Sequence, residues 1–186
     1  MCDHRRLPQE DRFVISRVAV PSDLAAARKN KRVSSGELTG RIVAVDGYNV
    51  LITIESLLVG SPVYLCDDGF LRDTRGIFRR YRSSIVTNEA LSEILSILKE
   101  SGVGRAEFLL DQQISRSGEL AAQIRERMAE LEVLGSAKTV RDVDRRLKMA
   151  TSPVASGDGP IIDASAEAVD IPGEVANRKG IKPIIL

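Results

Sequence analysis

From residue 41 onward, short apolar runs alternate with stretches whose apolar residues recur every three or four positions. That alternation predicts an α/β domain over residues 37–186. Residues 1–36 mix Pro, Ser and charge around one modest apolar stretch, RFVISRVAV, and read as an N-terminal arm or small extension packed on the main body.

Ile42, Val43, Ala44 and Val45 form a continuous apolar run, as in a strand covered on both faces within a parallel sheet, and the run ends on Asp46. NVLITIESLLVG is apolar nearly all round and closes at Gly60, predicting a buried helix, although its β-branched residues also suit a continued strand. SPVYLCDDGFLRDT carries a short apolar piece, Val63 to Cys66, before the turn-like Asp67, Asp68 and Gly69, a hairpin or irregular insertion. TNEALSEILSILKESG predicts a helix with Thr87 as N-cap, Leu91, Ile94, Leu95 and Leu98 on one face, and Gly102 at the stop. AEFLLD is a second strand ending on an acid, Asp111. Ser117 then caps a helix through Leu120, Ile124, Met128 and Leu131, with Gly135 as its end. SAKTV is a third strand, and Asp142 caps the short helix VDRRLKMA with Asp144 in its first turn. Val154 and Ala155 lead to Ser156, Gly157 and Asp158, with Pro160 at a first helical position. DIPGEVANRKGIKPIIL closes with a helix and a short strand from Pro183 to Leu186.

Composition changes this picture little. Hydrophobic residues at 43% and charged residues at 28% suit one ordinary globular domain, and no apolar stretch approaches the roughly 20 residues a membrane span requires. The polar start lacks a secretory core and the two cysteines have no metal-like spacing, so a cytoplasmic setting is expected. Net charge is +1, which by itself favours neither nucleic acid nor membrane. Local clusters differ: RKNKR at 28–32 reads first as a solvated face. RDTRGIFRRYR sets Arg72, Arg75, Arg79, Arg80 and Arg82 around Phe78 and Tyr81, which suits either a solvated face or phosphate neutralisation with base stacking.

The single histidine, His4, lies in the polar start, so chemistry has to rest on carboxylates. In a parallel sheet the strand-to-helix junctions share one edge, so Asp46, Asp111, Asp144 and Asp158 can converge despite their separation in sequence. Each alone is an equally good turn former or N-cap. Converging together, they repel unless a cation lies between them, and Mg²⁺ or Mn²⁺ fits oxygen-only ligands. Such a site can hold a phosphodiester for in-line displacement.

VAVDGYNVL, TVRDVDRRL and VASGDGPIID resemble the three acidic signatures of PIN-like nucleases, most closely the NYN branch. LITIES and DDGFLRD are similar to segments of an uncharacterised prokaryotic, largely archaeal family with such a core. The resemblance covers roughly residues 40–186. It implies a three-layer α/β/α, Rossmann-like fold with a mainly parallel central sheet and a divalent-metal site that cleaves RNA, less often DNA. Carried over by motif, Asp46, Asp144 and Asp158 match the catalytic ligands, Asp111 matches less closely, and Asn49 and Ser156 are nearby polar groups. Glu89, Glu93 and Glu55 are alternatives for a further helical acid, and Asp68 is a supporting candidate. The arginine segment is longer than the minimal core requires, and reads either as a substrate-binding insertion or as a cover that leaves the protein catalytically silent. The expected function is a metal-dependent ribonuclease with RNA as partner and homo-oligomerisation allowed. The alternative is a noncatalytic RNA-binding or assembly protein on the same fold. A haloacid dehalogenase-like phosphatase is disfavoured, because that chemistry needs a second Asp at residue 48, which is Tyr.

Overall fold

The computed structural model describes residues 9–74 and 81–185. Two helices come first, α1 (Gln9–Val18) and α2 (Ser22–Lys31), followed by a 3₁₀ turn at Ser35–Leu38. The body then runs β1 (Ile42–Asp46), α3 (Gly47–Leu58), β2 (Val63–Leu65), β3 (Leu71–Asp73), α4 (Ile85–Glu100), β4 (Arg105–Asp111), α5 (Ser117–Glu130) and β5 (Gly135–Val140). It ends with α6 (Val143–Lys148), β6 (Val154–Ala155), α7 (Gly159–Ala164), β7 (Ala168–Val169), α8 (Ile171–Lys179) and β8 (Ile184–Ile185).

β1 is apolar up to its closing Asp46 because both of its faces are covered. Val43 and Val45 join the main core with residues of α3, α4, α5 and α8, while Ala44 packs on the opposite face with Leu147 of α6, Val154 and Ile161 of α7. The central sheet has the order β5-β4-β1-β6-β7 with each pairing parallel. The result is the expected three-layer α/β/α fold, one helical layer thick and one thin.

The chain places β4 and β5 on one side of β1, then returns to place β6 and β7 on the other. The helix after β1, α3, covers one face of the sheet, whereas the helix after β6, α7, covers the other. Their first turns therefore diverge and leave a crevice beyond the carboxyl ends of β1 and β6, where open α/β sheets bind ligands.

β2 and β3 form the anticipated hairpin, and β8 adds to it in parallel, making a separate three-stranded sheet. β7 is an unanticipated strand. The N-cap of α4 is Ser84, not Thr87: Thr87 sits in the first turn, where its hydroxyl accepts from the Ser84 amide, and Ser84 and Thr87 complete a reciprocal capping box. Gly135 does not end α5 but opens β5, at φ +153 and so close to the Ala106 carbonyl that a side chain is excluded there. Helix α7 starts at Gly159, which puts Pro160 one position later than expected.

Residues 9–36 are bound to the body by charge as much as by apolar contact. Arg28 of α2 is buried. It donates to Asp163 at 2.7 and 2.8 Å and to Asp68 at 2.9 Å, so this member of the RKNKR cluster is internal, not part of a solvated face. Arg32 forms a parallel bridge to Ala168, and the Val33 amide donates to the Ala168 carbonyl at 2.9 Å, laying this segment along the outer edge of β7.

Candidate active site: an acidic crevice at the switch point

Asp46 is the last residue of β1 and stands at the N-cap position of α3. Gly47 follows because the first turn of α3 lies against β4: a Cβ there would stand 2.5 Å from Leu110 Cδ2 and 3.0 Å from the Leu109 carbonyl. Tyr48 turns into the core, its ring meeting that of Tyr81 edge-on at 5.2 Å. Asn49 reaches across the switch point, where its Oδ1 accepts the Gly157 amide at 2.7 Å. The Asp-Gly-x-Asn motif thus supplies an acid, a close helix–strand approach and a clamp on the neighbouring strand's loop.

That loop is held from its other side by Arg72 of β3, whose Nε donates to the Gly157 carbonyl at 2.5 Å. Ser156 Oγ donates to Asp46 Oδ2 at 2.8 Å and accepts the Asp158 amide at 3.1 Å, joining two of the expected acids through one hydroxyl. A cavity of about 630 Å³ opens here, lined by Asp46, Asp158, Asp144 and Asp111 among others. All four sequence-predicted acids therefore border one crevice.

The electrostatics follow from burial and like charge. Asp46, 6% exposed, has its carboxyl pushed up to about 7, first by burial and then by Asp158 and Asp144, against the opposing hydrogen bond from Ser156. Asp158 is also raised, by burial and then by Asp144, while Arg17, Lys148 and Arg72 oppose the shift. The phenol of Tyr48 is pushed up to about 12 by burial and by Asp111.

The donors are hard oxygens, the chemistry that suits Mg²⁺ or Mn²⁺. Among the described residues, however, no group of three or more Asp, Glu, His or Cys side chains is gathered as a ready-made metal centre. The acids share the crevice without closing on one point, and local contacts account for this. Asp111 Oδ1 accepts the Gln113 amide at 2.8 Å, Asp46 is turned toward Ser156, and Asp144 stands exposed on α6. A Mg²⁺ ion keeps several waters and needs only one or two carboxylates, so Asp46 and Asp158 suffice as a donor set of the right kind.

Other expectations are placed differently. Asp68 is fully buried away from the crevice, held by Arg72 at 2.6 and 3.0 Å and by Arg28. Arg72, expected on a nucleic-acid surface, is only 4% exposed and occupied by Asp68 and Gly157, because the hairpin turns it inward. Glu55 is buried on α3 and accepts from Tyr81 at 2.7 Å and Thr87 at 2.6 Å, a structural contact between α3 and α4. Glu89 and Glu93 pair with Lys179 of α8, away from the crevice. Arg82 is exposed, whereas Arg75, Arg79 and Arg80 lie outside the described residues.

Sequence reasoning missed several lining residues: Asp73, Asp142, Arg17, Arg141 and Arg145. Asp73 closes β3 as Asp46 closes β1, but Arg72 breaks the apolar run before it, so its signal was weaker. Arg17 had none, because only folding brings α1 beside Asp158.

The matched family model spans residues 35–174, most of the body just described. The chain belongs to the family described as Domain of unknown function (DUF5616). It is also similar to the Uncharacterized protein MJ0935 of Methanocaldococcus jannaschii, 33% identical over 179 residues, covering 91% of this chain and 85% of that protein. No solved structure matches. Among the described residues of this DUF5616 chain, no helix is long and apolar enough to cross a membrane. The match begins after α2, so Arg17, Arg28 and Arg32 come from outside the matched span.

Proposed function

We propose that this protein is a metal-dependent nuclease, foremost a ribonuclease, related to the PIN-like NYN nucleases. The observation that carries the reading is the convergence of Asp46, Asp144 and Asp158 on one crevice at the sheet's switch point, with Asp46 and Asp158 both held above the usual carboxylate range. Asp46 and Asp158 would hold Mg²⁺ or Mn²⁺ directly, with Asp144 and Asp111 acting through water. Bound there, the ion would neutralise the scissile phosphodiester and activate water for in-line attack.

The chain's own residues have separable roles in this scheme. Ser156 fixes the rotation of the Asp46 carboxylate and the start of the Asp158 loop with one hydroxyl. Asn49 and Arg72 fix Gly157 between them. Arg17, Arg141 and Arg145 line the same crevice and offset part of its negative charge, which would otherwise repel a phosphate backbone.

The test is incubation of the protein with labelled single-stranded RNA and DNA, with and without Mg²⁺ or Mn²⁺, alongside Asp46→Asn and Asp158→Asn. Cleavage requiring metal and abolished in both folded variants is the expected result. Folded wild-type protein that cleaves neither polymer with either ion would overturn it, and RNA binding without cleavage would instead favour the noncatalytic RNA-binding reading.

A further inference from the structure

Tyr48 forms part of the wall of two cavities. On one side lies the acidic crevice; on the other is a second cavity of about 810 Å³ whose lining includes Tyr81, Arg82, Ser83, Ser115, Arg116 and Glu119. The two have opposite character. Among the described residues, the crevice is lined by Asp46, Asp73, Asp111, Asp142, Asp144 and Asp158 against three arginines, whereas the second cavity sets Arg82 and Arg116 against Glu119 alone.

The two arginines of the second cavity are available. Arg82 is exposed, and the Arg116 side chain is 80% exposed with only a 3.9 Å approach from Glu119, a pairing worth little in water. Arg116 also holds a left-handed backbone at φ +61, uncommon for a side chain of its size, in the tight connection between β4 and α5. β4 ends in Asp111 of the acidic crevice, so six residues of one chain segment carry an acid on one cavity and a cation on the next.

We infer that the second cavity is a phosphate subsite for the strand that enters the acidic crevice, and that the ligand is a single-stranded RNA running across Tyr48. This rests on the nuclease reading for the identity of the polymer. Arg82 and Arg116 hold a phosphate flanking the one over the acids. That division follows from charge: a backbone laid over six acids and three arginines meets a crevice that stays net negative without metal, whereas a phosphate held by two guanidiniums binds without it. A single strand fits because its backbone can bend into two concave sites on either side of one residue. A duplex would bring its second strand against the walls. Tyr48 separates the subsites but does not stack on a base, since it is buried at 2% exposure.

The experiment measures binding of a short, unstructured RNA to the full-length protein in chelator, across a series of salt concentrations, for wild type, Arg82→Ala/Arg116→Ala and Asp46→Asn. The arginine variant is expected to bind about tenfold more weakly at low salt. The slope of log affinity against log salt should become shallower by roughly 0.7, the amount expected for one lost phosphate contact on a single strand. Asp46→Asn should keep or tighten metal-free binding. A blunt duplex RNA of the same length should bind more weakly than the single strand, and single-stranded DNA serves as the comparison for sugar preference. Because Arg82 and Arg116 are exposed, their variant should melt like wild type. If it binds with wild-type affinity and salt slope, or if duplex binds as well as single strand, the subsite is refuted whether or not the protein cleaves RNA. If arginine-dependent binding is observed but no metal supports cleavage, the subsite stands and the nuclease reading fails.

Discussion

Replacing Asp46 with Asn should stabilise the metal-free protein at pH 8, an unusual result for a change at a buried polar residue. Between the ordinary carboxylate value of 3.8 and about 7, the native protein holds a proton on Asp46 that the unfolded chain has released. Wild-type stability should therefore fall as pH rises through that window, and the penalty is fully present above it. A shift of about three units corresponds to roughly 4 kcal/mol at about 1.4 kcal/mol per unit. Asn also has to be buried, so part of the desolvation cost remains, but its carboxamide oxygen can still accept the Ser156 hydroxyl now 2.8 Å from Asp46. The expected gain is about 1–3 kcal/mol at pH 8, or roughly 3–10 °C in melting temperature for a chain of this size. At pH 5 the wild-type carboxyl is protonated in the fold and only the smaller part of the penalty has built up, so the Asn variant should lose most of its advantage. Thermal melts in chelator at both pH values provide the assay. Adding millimolar Mg²⁺ or Mn²⁺ at pH 8 should raise the wild-type melting temperature and leave the variant nearly unmoved. Equal stability of the two proteins at both pH values, or a less stable Asn variant at pH 8, would refute the account of a charge confined by burial and its acidic neighbours.

Three further outcomes follow from the packing. Gly47→Ala should lose about 1–3 kcal/mol in urea unfolding, because its methyl group would press on Leu110 and the Leu109 carbonyl; a wild-type midpoint would mean α3 shifts freely on β4. Arg72→Met should cost about 3–5 kcal/mol, since it leaves Asp68 buried with only Arg28 and releases the Gly157 carbonyl. Should that variant unfold at the wild-type denaturant concentration, the internal ion pair contributes nothing. Glu55→Ala should destabilise by roughly 2–4 kcal/mol through loss of the Tyr81 and Thr87 hydrogen bonds, and leave the metal-induced rise in melting temperature unchanged. Loss of that rise in a folded Glu55 variant would restore it as a ligand.

The central sheet was legible because its signals are local and periodic. The run from Ile42 to Val45 is apolar on both faces, which only a strand between two helical layers requires. Acids closing β1 and β4 then converge by parallel topology alone, so Asp46 and Asp111 could be brought to one edge without any knowledge of side-chain positions. What sequence could not reveal depends on distant pairing. Arg72 reads as one more member of an arginine cluster, and its burial is fixed by Asp68 and by a carbonyl 85 residues away. Arg28 likewise looks solvated until Asp163, 135 positions later, is brought against it. Thr87 has every local mark of an N-cap, yet its hydroxyl is drawn into contacts with Tyr81 and Glu55, and Ser84 takes the cap. β7 is two residues long and leaves no periodicity to detect.

The bridge from Arg32 to Ala168 has a practical consequence for anyone trimming the chain to its matched span. A fragment beginning at residue 35 would lose the segment lying against β7, and with it the Val33 amide that occupies the Ala168 carbonyl. That edge would become a bare row of donors and acceptors, the template on which sheets of separate molecules join. The same cut removes Arg28 and Arg32, stranding Asp163, Asp68 and Asp170 with fewer counter-charges. A fragment cut to the matched span should therefore aggregate more readily than the longer chain.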